Sequence, residues 1–102
     1  MERERKQFSL EEFTARVMGV ARRVDPALQV RQAGHDLLVV AHPGSGDIVW
    51  VKAMDEGEKF AVFKTRADAP KPAHLDAINP IGEGFLADVL RNYVREVGHF
   101  RI

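Results

Sequence analysis

The side chains able to do chemistry in this 102-residue chain are few, and their spacing is poor for cooperation. His35, His42, His74 and His99 are the four histidines, and no two stand at i,i+2 on an expected strand or i,i+4 on an expected helix. A metal site on a regular element needs such a pair with a carboxylate beside it, so the pattern predicts no metal centre. His35 and His42 fall near opposite ends of one expected strand, roughly 20 Å apart at the rise of extended chain. His35-Asp36 has the types for an oriented imidazole, yet it stands in a turn, where this dipeptide is commonplace.

The stretch Pro43-Gly44-Ser45-Gly46-Asp47 has the glycines of a phosphate loop but not its other parts. A Walker A loop needs a lysine to reach the phosphates and a helix behind it, and a dinucleotide fingerprint also runs from strand into helix. Here the continuation is apolar and β-branched, so the residues read as the turn of a hairpin, each suited to its position by its own sterics. Gly44 directly precedes Ser45, which departs from the G-x-S-x-G elbow of a serine hydrolase. Ser9 is better used as a helix cap. With no cysteine in the chain, disulfides, thiolate nucleophiles and cysteine-ligated metals are excluded. No cofactor is expected.

Lys52 and Lys64 interrupt otherwise apolar strands. As catalytic amines they would need burial and a depressed pKa, whereas charges on a sheet also deter edge-to-edge aggregation. Lysine plus arginine, and aspartate plus glutamate, number 15 each, and the two signs are interleaved. Nucleic-acid binding needs a segregated basic face. Arg22, Arg23 and Arg31 are the only weak basis for one, and a nucleic-acid partner is not expected. Net neutrality also removes a barrier to self-association.

The elements that must position these residues are well marked. Ser9 and Glu12 fit a capping box, and Phe8 and Phe13 fit the staple across it. Leu10, Phe13, Val17, Val20, Ala21 and Val24 then form one apolar stripe, with a Glu12–Arg16 pair on its flank. Asp25-Pro26 stops the helix, and Gly19 within it suggests close approach to a neighbour. Strands are expected at Leu28–Arg31, Leu37–Ala41, Ile48–Met54 and Lys59–Thr65, joined by short turns and so paired antiparallel. Residues 66–84 carry three of the five prolines and read as a long loop with one short helical turn in "PAHLDAI". Helical period returns from Phe85 to Val97, with Gly98 as its expected C′ residue.

The predicted architecture is two-layer α+β: an α-β-β-β-β-α order, a four-stranded antiparallel meander, and two helices on one face. One domain spans residues 1–102, with residues 1–7 expected to be disordered. The charged start is no signal sequence, and the longest apolar run, Leu37–Ala41, is too short for a membrane span. A cytoplasmic location without membrane contact is therefore expected.

Two helices cover one face of such a sheet, yet the middle strands are apolar at successive positions, on both faces. An uncovered apolar face marks an interaction surface. The expectation is therefore a non-enzymatic protein-interaction module, an adaptor, chaperone-like or regulatory protein, that forms a homodimer through its open sheet face. Val49, Trp50, Val51 and Phe63 are the candidate interface residues. The alternative is a ligand-binding or enzymatic domain with its site between sheet and loop, using His42, His74, Lys52 and Lys64.

Overall fold

A computed structural model of the chain describes residues 8–99. The element order is α1 (Leu10–Val24), β1 (Gln29–Gly34), β2 (Leu37–Ala41), β3 (Asp47–Met54), β4 (Lys59–Arg66) and α2 (Glu83–His99). Single 3-10 turns lie at Asp55–Gly57 and Leu75–Ala77. The four strands form one sheet in the order β1-β2-β3-β4, antiparallel throughout. The predicted α+β meander is thus the fold. The disorder expected for residues 1–7 concerns residues outside those described.

α1 begins as its residues dictate. The Ser9 hydroxyl accepts the Glu12 amide at 3.2 Å, and the Phe8 and Phe13 rings stand 5.8 Å apart across the cap. Asp25 ends the helix in extended conformation, its carboxylate accepting the Ala27 amide at 2.8 Å. Phe13, Val17, Val20 and Ala21 are buried. They meet Leu86, Leu90 and Tyr93 of α2 and Leu38, Val40, Val49, Val51 and Phe60 of the sheet in the main core.

Several local expectations are corrected. Gly19 is exposed, and a Cβ there would meet nothing within 4 Å, so no close approach explains it. Arg16 does not pair with Glu12. It reaches across to the β3–β4 turn, donating to the Gly57 carbonyl at 2.9 Å and Glu58 at 3.2 Å, with Glu83 of α2 at 3.8 Å. Long-range partners fixed by the fold outcompete a local helical pair on an exposed flank. β1 continues to Gly34 through an irregularity between Gln32 and Gly34, so its turn is shorter than expected. α2 begins at Glu83 and runs through Gly98 to His99 rather than stopping at a C′ glycine.

Among the described residues, the β3–β4 turn is the one place where the backbone demands glycine. Asp55, Glu56 and Gly57 have φ of 49°, 57° and 92°. Gly57 is buried under the Phe8 ring, where a Cβ would lie 3.4 Å from Cδ1. Glycine adopts positive φ without the steric penalty of a side chain.

Candidate interaction surface

Strand alternation sorts the candidate residues onto two faces of the sheet. Val49 and Val51 are both 0% exposed, packed against the helices. Trp50 and Phe63 are paired across β3 and β4 on the opposite face. The four expected interface residues therefore share no surface, and Val49 and Val51 are core. Both parities of "IVWV" are apolar, so periodicity alone left the register of that strand open.

The second face is covered from within the chain. Leu37, Val39, Ile48 and Trp50 form a smaller buried cluster with Leu75, and Ala41 and Ile78 pack at its margin. The long loop thus lies across the sheet as a strap, its short 3-10 turn at Leu75–Ala77 placing Leu75 on the apolar strip. Trp50 is only 8% exposed, and its indole N–H donates to the Thr65 hydroxyl at 2.8 Å. The expectation of a bare sheet face is corrected: the apolar residues are present, and the strap occupies them.

Charged residues fasten this cover. Lys52 Nζ donates to Asp36 at 2.5 Å and lies 3.4 Å from Asp76 of the strap. The hydrogen bond to Asp36 holds the Lys52 ammonium above its ordinary pKa against the opposing effect of burial. Burial pushes the Asp36 carboxyl up, but the hydrogen bond and charge of Lys52 outweigh it and hold the group below the usual range. An ammonium stabilised in this way is the reverse of a lysine activated as a nucleophile. Lys64 resembles it: its bond to Glu96 at 2.6 Å raises its pKa despite burial, and Asp47 lies 4.0 Å away.

The residues of the ligand alternative do not converge. Lys52 and His74 belong to the strap side of the sheet, where His74 packs edge-on to Phe63 at 4.7 Å. Lys64 points to α2 through Glu96. His42 sits at the β2–β3 turn, its Nδ1 accepting the Gly44 amide at 2.9 Å and its Nε2 3.7 Å from Asp25. Among the described residues no group of three or more histidines, cysteines or acids is placed to hold a metal ion.

The glycine turn closes on α2 rather than on a ligand. The Tyr93 hydroxyl donates to the Asp47 carbonyl at 2.6 Å and accepts the His42 amide at 2.9 Å. A small cavity of about 140 Å³ beside the turn is lined by Gly44, Ser45, Gly46, Asp47, Tyr93, Glu96 and Val97. Its charged groups are two carboxylates, which oppose a phosphate.

What the strap leaves open is the outer edge of β4. Phe60 exchanges both backbone hydrogen bonds with Ile81, at 2.9 and 2.8 Å, so its polar groups face away from β3. Alternation then turns those of Val62, Lys64 and Arg66 outward as well. The Arg66 carbonyl accepts the Thr65 hydroxyl at 3.0 Å. Among the described residues no backbone bond satisfies the outward groups of Val62 and Lys64. The same alternation carried across the sheet turns Val30 and Gln32 of β1 outward at the opposite edge.

The open stretch of β4 is flanked by apolar groups. Phe63, 37% exposed, stands on its strap side. On its helix side lies a shallow hollow lined by Val49, Lys64, Val89, Asn92, Tyr93 and Glu96. Phe85, 67% exposed, precedes Val89 by one helical turn. Phe63 and Phe85 are the exposed large apolar residues among those described. The sequence marked Phe63 as a candidate but not the edge it belongs to, because Ile81 closes one end of β4 from a distant point in the chain.

No protein-family model, curated protein or solved structure matches this chain. Among the described residues no helix is long and apolar enough to cross a membrane.

Proposed function

We propose that the protein is a non-enzymatic protein-interaction module that self-associates through the open edge of β4 rather than through a face of its sheet. The observation that carries this reading is the pair of outward backbone groups at Val62 and Lys64, unbonded among the described residues and bordered by exposed Phe63. An unpaired edge strand is a template for another strand, and main-chain hydrogen bonds supply much of the affinity when one is added. Nothing comparable favours the ligand reading, since His42, His74, Lys52 and Lys64 lie on different sides of the sheet and each already has a partner within the chain.

Sedimentation equilibrium over the micromolar range tests the proposal by comparing the parent chain with Val62→Pro. The Val62 amide points away from β3, so proline removes an outward donor and no ladder bond. The parent is expected to show concentration-dependent association and the variant at least a tenfold weaker one, with far-UV circular dichroism unchanged. A parent that stays monomeric throughout, or a folded variant that associates equally well, contradicts the reading.

A further inference from the structure

We infer that the partner at this edge is a second copy of the chain, its β4 strand antiparallel to the first and the two-fold axis passing beside Phe63. The inference rests on self-association through β4 and adds the register, which the free groups and the charges determine together.

In antiparallel pairing, outward-facing residues of one strand exchange bonds with outward-facing residues of the other. Four symmetric registers bring the open part of β4 against itself. With the axis at Val62, Lys64 opposes Phe60 of the partner subunit, whose groups are already bound to Ile81. With the axis at Lys64, two lysines stand directly opposite, and Val62 meets Arg66 of the partner subunit, whose carbonyl already accepts the Thr65 hydroxyl. With the axis at Thr65, Lys64 faces Arg66 of the partner subunit, again two cations. Like charges directly opposite are destabilising.

Only the axis at Phe63 pairs the free groups with each other, and the occupied Phe60 then falls opposite the occupied Arg66 of the partner subunit at each end. It sets Val62 of each copy opposite Lys64 of the partner subunit, so that four backbone hydrogen bonds use the free donors and acceptors of both strands. The Lys64 ammonium keeps its own Glu96 at 2.6 Å, so no lone charge enters the contact. Phe63 meets Phe63 of the partner subunit in a non-hydrogen-bonded pair, where side chains stand closest and aromatic pairs contribute most. Ile81 ends the pairing at Phe60 in each copy, which makes the contact short and closed rather than a continuing ribbon. The net charge of zero opposes no such approach.

The absence of cysteine from the chain makes the test direct. In a non-hydrogen-bonded antiparallel pair the Cα atoms lie about 4.5 Å apart, within the range a disulfide spans. Phe63→Cys is expected to form a covalent dimer on mild oxidation. Thr65→Cys is not, because its two copies would stand roughly 14 Å apart along the strands. Since Phe63→Cys also removes a contact residue, a second arm keeps Phe63: chains carrying Val62→Cys and Lys64→Cys, neither position fully buried, should cross-link to each other when mixed and not to themselves. If sedimentation shows dimers but the thiols at residue 63 link no faster than those at 65, and the mixed pair fails, the register is overturned while self-association stands. If no dimer forms in any arm, self-association falls with it.

Discussion

The Lys52–Asp36 pair is the clearest case of one contact setting the chemistry of a residue. Lys52 lies within a sheet face whose neighbours are leucine, valine and tryptophan, and its ammonium is satisfied there by Asp36, with Asp76 beyond. Asp36 has a folded pKa below its unfolded value of 3.8, so its contribution to stability is present above that value and fades as pH falls through the folded one. Lys52 has a folded pKa above 10.5, so its contribution is complete below that and is lost as pH rises through the folded value. Lys52→Met leaves burial to act on Asp36, and its carboxyl should then titrate above its position in the parent, as read from carboxyl chemical shifts. The variant should lose about 1 kcal/mol between roughly pH 5 and 9, with the difference shrinking toward either extreme. An Asp36 titration that does not move would show that Lys52 is not what sets it.

At the scale of elements, the strap over the second sheet face is the least expected feature and the one with most consequence. Leu75 is 2% exposed and is the principal apolar side chain that the strap lays on Leu37, Val39, Ile48 and Trp50. Leu75→Ala should cost about 2–5 kcal/mol by the usual range for buried leucine truncation. It should also shift the emission of Trp50, the only tryptophan, to the red and raise its quenching by acrylamide. Emission and quenching that stay at parent values would mean that the strap does not seal that face.

The helices and strands were legible in the sequence because their apolar residues recur with the period of the element, and because Ser9, Phe8 and Asp25-Pro26 punctuate α1 locally. The strap was not. Its apolar residues, Leu75 and Ile78, are separated by polar and proline-rich chain, and docking onto a distant sheet face leaves no local period. The apolar runs in β2 and β3 marked the second face as apolar, but it read as open to a partner because nothing local shows that Leu75 covers it. The β4 edge was hidden for the same reason, since it is defined by what Ile81 closes and what it leaves free.

At the scale of the molecule, two helices cover one face of the sheet and the strap covers the middle strands of the other, while polar backbone at its edges is unbonded among the described residues. β1 carries Gln29, Arg31 and Gln32 at one edge, charged and amide side chains of the kind that blunt strand pairing. β4 carries cations too, but Lys64 is paired with Glu96 and Arg66 with Asp68. Phe63 and the hollow beside α2 flank its open stretch, so association is expected at β4 and not at β1. Residue-resolved amide hydrogen exchange, measured on dilute and concentrated protein, tests this most directly. The Val62 and Lys64 amides are expected to become protected as concentration rises while those of Val30 and Gln32 continue to exchange at their dilute rates. Protection that appears at Val30 and Gln32 instead, or exchange at Val62 and Lys64 that is indifferent to concentration, would contradict association at β4.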